Sequence, residues 1–276
     1  MKMVTINGPA RLALGLALAT ALGTSLSAQR PAGSTGDWCA DQHWGDDREG
    51  FCEVREYTVP AAGATLAVDA SPNGGIDVEG SARGDILVQA RVVATADTRD
   101  EARALASRVQ VVATAVRVDA EGPRNLERRQ GWHVSYRLAV PTNTPLALKT
   151  TNGGIALDNV NSHVELTTTN GGVKLSRIAG DVIGRTTNGG ITVDLEGSAW
   201  DGNGLDLQTT NGGVQVRVPA DYNAHLEAGT TNGSVKTDFP VMINGTRNRS
   251  FTADLGSGGA PVRVRTSNGG VKITKK

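Results

Sequence analysis

From residue 146 to its end the chain repeats one pattern of apolar and polar positions. In the unit VELTTTNGGVKLSRIAGD (164–181), Val164, Leu166 and Thr168 fall on one side and Glu165, Thr167 and Thr169 on the other. Such period-2 alternation is that of a strand with one dry and one wet face. NGG breaks the alternation, Val173 and Leu175 then resume the inward set, and IAGD (178–181) makes a second, looser corner. Each unit therefore predicts two short strands and two corners. The motif's asparagine recurs at Asn152, Asn170, Asn188, Asn211, Asn232 and Asn268, in steps of 18, 18, 23, 21 and 36 residues. The last step is twice the first, and the 23-residue step carries an insertion around GSAWDGNG (197–204). An outlying SPNGG lies at 71–75.

Two folds use this pattern. In an antiparallel meander NG would be a hairpin turn. In a parallel solenoid each unit is one coil, and coils stack about 4.8 Å apart. The solenoid accounts for more: it sets each asparagine over the previous one, so that the side-chain amides form a hydrogen-bonded ladder. It also places Thr150, Thr168, Thr186, Thr209, Thr230 and Thr266 in one inward row. Asparagine tolerates positive φ and glycine adopts it freely, which predicts that NGG turns its corner through the left-handed region. The expected fold is all-β: a parallel β-solenoid, β-helix-like or β-roll-like, with coils of about 18–23 residues over 146–276.

Residues 61–145 predict a β-rich N-terminal region carrying one short helix. Strand-like alternation runs through EVREYTVP (53–60), ATLAVDA (64–70), GIDVEG (75–80) and DILVQARVVAT (85–95). The period then changes: DTRDEARALASR (97–108) puts Ala102, Leu105 and Ala106 on one helical face, with Thr98 as N-cap and Glu101 at the capping-box position. Strands follow at 109–120 and 132–140, joined by a charged loop (121–131) placed like a hairpin connection. This region is expected to cover one open end of the solenoid, and the lysines of VKITKK (271–276) to discourage pairing at the other.

Composition supports a thin, repetitive structure, with 35 glycines and only 4% aromatics. Residues 1–28 read as a secretion signal: Lys2 and Arg11, the apolar stretch LALGLALATALG (12–23), then small residues. No other segment approaches a membrane-spanning length. Removing the signal leaves 26 basic against 28 acidic residues, a balance that does not call for nucleic acid. A leader and cysteine loop occupy 29–60. In an exported chain its two cysteines, Cys39 and Cys52, are expected to form a disulfide.

Candidate chemistry is sparse. Asp37, Asp41, His43, Asp46, Asp47 and Glu49 crowd the cysteine loop but match no metal motif. Asp201, Asn203 and Asp206 resemble half a calcium loop without the later bidentate glutamate. A polysaccharide-cleaving enzyme needs paired carboxylates in a groove, and Asp194, Glu196 and Asp206 are the acids that could meet across coils. His43, His133, His163 and His225 have no nucleophile at a recognised spacing. The outward row Lys149, Thr167, Arg185, Gln208, Gly229 and Arg265 is too mixed for an ice-binding face. No catalytic, cofactor or metal residue is assigned.

The succession WGDDREGFCEVREYTVP (44–60), NGGIDVEG (73–80), GDVIGRTTNGG (180–190), SAWDGNGLDLQTTNGGV (198–214), PADYNAHLEAGTTNG (219–233) and LGSGGAPVRVRTSNGGV (255–271) resembles the bacterial putative-adhesin family, whose fold is a β-strand repeat. The resemblance covers nearly all of the chain after the signal. It implies a β-solenoid in an exported cell-envelope protein, periplasmic or outside the cell, with no catalytic set to carry over. The expected role is a non-enzymatic, adhesin-like structural or binding module whose partner is an envelope glycan or surface protein. The alternatives are a polysaccharide-acting β-helix enzyme and a self-assembling scaffold.

Overall fold

A computed structural model describes residues 36–40, 44, 47–240 and 249–276. The expected signal (1–28) and most of the leader lie outside these. Along the chain, α1 (Gly36–Ala40) precedes β1 (Glu49–Pro60), β2 (Leu66–Asp69), β3 (Ile76–Ser81) and β4 (Asp85–Ala96). Then come α2 (Arg99–Ser107), β5 (Gln110–Ala113), β6 (Arg117–Glu121) and β7 (Gly131–Pro141). The repeat supplies β8 (Leu146–Thr150), β9 (Ile155–Asp158), β10 (Asn161–Thr168), β11 (Val173–Ser176), β12 (Ala179–Asn188), β13 (Ile191–Asp194), β14 (Gly204–Asn211) and β15 (Val214–Val218). It ends with β16 (Ala224–Asn232), β17 (Val235–Thr237), β18 (Ser250–Leu255), β19 (Pro261–Asn268) and β20 (Val271–Lys275).

These strands form two ten-stranded sheets, ordered β1-β4-β7-β3-β9-β11-β13-β15-β20-β17 and β18-β16-β19-β14-β12-β10-β8-β2-β6-β5. A coil is one strand from each sheet joined through an NGG or NGS corner, and adjacent coils pair in parallel register, as Val164↔Val182 and Val173↔Ile191 illustrate. The chain is an all-β solenoid. Alternation buries Val164, Leu166, Val173 and Leu175 between the sheets, each at most 2% exposed. Burial of such side chains stabilises by about 1.5–3 kcal/mol apiece.

The stacking order departs from the chain order at both ends. The coil β19–β20 lies between β14–β15 and β16–β17, so VKITKK is an interior rung and not the end of the stack. Likewise β2–β3 sits against β8–β9 on one side and β6 and β7 on the other. Every coil offers its neighbours the same inward set, so strand pairing alone does not fix the order. The far edges are managed differently from expectation. β17 is three residues long, and β18 lies antiparallel on β16. Both leave little free parallel edge to template another chain.

At the near end α2 has Thr98 as N-cap in a capping box with Glu101, and buries Ala102, Leu105 and Ala106. The Arg55 guanidinium donates to the Ala106 carbonyl in the last turn of α2 and to the Val109 carbonyl just past it. Residues 109–120 are not one strand: Thr114 bonds Arg117 through main chain and hydroxyl, making the tight turn of an antiparallel β5–β6 pair. Nor is 121–131 a hairpin, because β6 and β7 belong to different sheets. A second short helix, α1, lies in the cysteine segment, where a loop was expected.

Candidate functional site

The first glycines of the repeat answer to close approach; among the motif glycines Gly269 alone also has positive φ, at 155°. The motif asparagines keep negative φ; among the described residues the non-glycine positive-φ positions are Arg129, Asn159 and Arg177. A Cβ at the first glycine of the motif (Gly74, Gly153, Gly171, Gly189, Gly212, Gly233, Gly269) would lie 1.9–2.2 Å from a main-chain oxygen of the next strand or coil. At the second glycine (Gly75, Gly154, Gly172, Gly190, Gly213, Gly270) the nearest atom would be 3.3–3.5 Å away, ordinary or slightly tight contact. Ser234 occupies that second position, where a side chain fits.

Around this corner the polar side chains run in columns. The amide nitrogens of Asn152, Asn170, Asn188, Asn211, Asn268 and Asn232 each donate to the preceding amide oxygen of a column that starts at Asn73, at 2.7–2.8 Å. One N–H and one lone pair of each amide serve the column, which leaves the others for solvent or a ligand. The buried Thr150, Thr168, Thr186, Thr209, Thr266 and Thr230 donate their hydroxyls to Gly74, Gly153, Gly171, Gly189, Gly212 and Gly269 carbonyls at 2.7–2.9 Å.

On the outer face of the first sheet the corner is bordered by a furrow. One depression of ≈ 650 Å³ is floored by Gly75, Gly154, Gly172 and Gly190 and flanked by Asp77, Lys174 and Thr192. A second, of ≈ 440 Å³, shares Gly190 and Thr192 with it and continues over Gly213, Gly270 and Ser234 beside Gln215, Lys272 and Lys236. The first depression is closed at one end by Trp38, whose ring lies 4.0 Å from the Arg137 guanidinium carbon and 4.9 Å from that of Arg91. Arg91 also donates to the Trp38 carbonyl at 3.1 Å. The disulfide Cys39–Cys52 ties α1, and hence Trp38, to β1. Burial, and then the charge of Arg137, lowers the Arg91 pKa; burial, and then Arg91, lowers that of His133. The Arg91 Nε is buried without a hydrogen-bond partner among the described residues. Sequence reading missed this end of the furrow. Its only signals were a tryptophan beside Cys39 and arginines at outward positions of two strands.

Of the acids singled out for catalysis, Asp194 and Asp206 are not brought together. Asp194 lies on β13 in the first sheet and bonds Arg217 and Lys276, whereas Asp206 lies on β14 in the second sheet and bonds Arg185 at 2.9 Å. Asp201 accepts from the Asn161 amide at 2.8 Å. Asp41, His43 and Asp46 lie outside the described residues, and Asp47 and Glu49 are exposed. Among the described residues no three His, Cys, Asp or Glu side chains are placed to hold a metal ion. The second sheet's outer face carries paired charges instead. Glu227 receives Arg263 at 2.9 Å and Arg265 at 3.3 Å, and the Arg263 hydrogen bond lowers its pKa. His163 contacts Asp181 at 3.0 Å, which raises its pKa.

With the stacked corners and the two sheets described, the family model that matches residues 81–274 is Toastrack DUF4097. The chain belongs to the Toastrack DUF4097 family. Solved structures similar to this Toastrack chain include a putative cell adhesion protein from Clostridium sporogenes, 11% identical, covering 83% of this chain and 100% of that one with a TM-score of 0.44. A putative adhesin from Bacteroides fragilis is 13% identical over 82% of this chain and 97% of its own, TM-score 0.39. A putative lipid binding protein from Parabacteroides distasonis is 11% identical over 82% and 96%, TM-score 0.29. Among curated proteins no relative matches. No described helix of the Toastrack chain is long and apolar enough to cross a membrane.

Proposed function

We propose that this Toastrack chain is an exported, non-enzymatic, adhesin-like module that presents the furrowed face of its first sheet to a component of the bacterial cell envelope. The observation that carries the reading is the furrow itself. It crosses the stacked coils on main chain left bare by glycines, beside a row of outward side chains. Ligand recognition needs a recess with convergent polar groups, and this one is long, shallow and rigidly repeated. The disulfide supports export, because such bonds persist in oxidising compartments. The separation of Asp194 from Asp206 and their engagement with basic partners support binding over hydrolysis. The test is adhesion of the purified protein to isolated envelope fractions, with reducing-end release from envelope polysaccharide measured in parallel. Retention on an envelope fraction without release of reducing ends is expected. Release of reducing ends, or no retention on any fraction, overturns the proposal.

A further inference from the structure

The basic side chains of the solenoid are distributed with a bias. Lys149, Arg177, Arg185, Arg217, Arg263, Arg265 and Lys276 each form an ion pair. Lys275 lies over the Phe239 ring. Among the described residues Lys174, Lys236, Lys272 and Arg249 have neither an acidic nor an aromatic partner; the three lysines are exposed and line the furrow, whereas Arg249 is only partly exposed and lies with Ser250 and Arg265 by the second sheet. They share one row across the first sheet. Cα pairing links Arg137, Asp77, Ala156, Lys174, Thr192, Gln215, Lys272 and Lys236 in succession. The row holds four cations and one acid, and Arg91 adds a fifth cation at its Trp38 end. The next outward row on the same sheet, two residues further along each strand, carries Glu79, Asp158 and Asp194 against Arg217. Adjacent rows therefore differ in sign, and the positive one lies beside the glycine floor.

We infer that the furrow binds a linear acidic polysaccharide lying along the stack, an inference that rests on reading the chain as an envelope-binding module. Uncompensated cations raise the local concentration of anions. Seven strand steps from Arg137 to Lys236, at about 4.8 Å each, make a track of about 34 Å, long enough for several sugar units and too long for one. The carboxylate or sulfate groups of such a chain meet the lysine row. Its hydroxyls meet the glycine main chain and the Thr192, Gln215 and Ser234 side chains of the furrow lining. A lipid surface fits less well: the exposed large apolar residues among those described are Val116 and Leu126, and neither lines the furrow. Nucleic acid fits less well because neither aromatic of the furrow lining is free to stack a base: Tyr136 is buried, and Trp38 is already engaged by two arginines.

The experiment uses polygalacturonate as probe, with galacturonic acid, dextran, polyglutamate and anionic phosphatidylglycerol vesicles alongside, by calorimetry at low and physiological salt. Polygalacturonate is expected to bind, to weaken as salt rises, and to lose about tenfold in affinity in the triple variant Lys174→Gln, Lys236→Gln, Lys272→Gln. The monomer and dextran are expected not to bind. An equal charge change at Arg124→Gln, Arg128→Gln, Lys149→Gln is expected to shift affinity by less than about twofold. The inference is overturned by equal losses in both triple variants, by no binding of polygalacturonate, or by tighter binding of polyglutamate or vesicles. Envelope adhesion unchanged in the furrow variant sinks the polysaccharide track and leaves the module reading standing, whereas absent adhesion of the parent protein removes the module reading itself.

Discussion

Gly171 and Gly172 are neighbours with opposite tolerance for a methyl group, and their alanine variants test the account of the corner. A Cβ on Gly171 would sit 1.9 Å from the Gly153 oxygen and 2.5 Å from its carbonyl carbon, both main chain and neither able to swing away. The corner must then lift from the coil beneath it. Three hydrogen bonds hold it there: Asn170 N–H to the Thr151 carbonyl at 2.7 Å, the Asn170 amide to Asn152 at 2.7 Å and the Thr168 hydroxyl to the Gly153 carbonyl at 2.9 Å. At about 0.5–1.5 kcal/mol each, loosening all three costs about 2–4 kcal/mol. A Cβ on Gly172 would meet the Gly190 oxygen at 3.4 Å, and its φ lies outside the left-handed region. There alanine reduces the entropy of the unfolded chain and is expected to change stability by no more than about 1 kcal/mol in either direction. Urea unfolding followed by far-ultraviolet circular dichroism reads both variants against the parent. Equal stability of Gly171→Ala and Gly172→Ala would refute the close-approach explanation.

Thr168→Val keeps the shape of the side chain but removes the donor to Gly153, so a loss of about 1–2 kcal/mol is expected in the same assay, with Thr169→Val nearly neutral. Glu227 is held ionised by Arg263, with Arg265 and His225 beside it. Its depressed pKa adds stability above the ordinary glutamate range that disappears as pH falls through the folded value. The gap between parent and Glu227→Gln, about 1 kcal/mol near pH 7, should therefore narrow progressively as pH falls below the ordinary glutamate range in unfolding curves. Cys39→Ser with Cys52→Ser should release α1 and move Trp38 into water, giving a red-shifted tryptophan emission and proteolysis before β1 while hydrogen exchange in the stacked coils is unchanged. Ending the chain after Ala260 withdraws Val262, Val264, Val271 and Ile273, each at most 1% exposed. At about 1.5–3 kcal/mol per side chain this is the largest loss foreseen, with exchange accelerating in β14, β15 and β16. Parent-like protection in those three strands would contradict the interior placement of the last coil.

Much of the coil could be read from the alternation around each NGG, because period-2 burial and a corner are local properties of some ten residues. What the sequence could not state is order. Thr209 pairs with Thr266 and not with Thr230, although all three present the same hydroxyl, an inward apolar residue two before (Leu207, Val264 and Ala228) and the same asparagine two residues on. Nearest-neighbour contacts in a repeat are interchangeable, so the sequence constrains which strands pair far less than it constrains how they pair. The 36-residue step before Asn268 was the trace of the inversion. It is the length needed to leave β17, lay β18 against the far side of β16 and return through Gly256, Gly258 and Gly259, all at positive φ. The glycines of the corner misled in the opposite sense. Their usual reason, positive φ, is intrinsic to the residue and visible in any sequence, whereas a carbonyl about 2 Å from an absent Cβ belongs to the adjacent coil. The furrow was hidden for a related reason. Lys174, Lys272 and Lys236 are 98 and 36 residues apart in sequence and share a row only once the coils stack in register. Stacking in register, which no local stretch of sequence states, is therefore what places Lys272 beside Lys236; the inverted order decides only that Lys272, and not Lys236, lies next to Gln215.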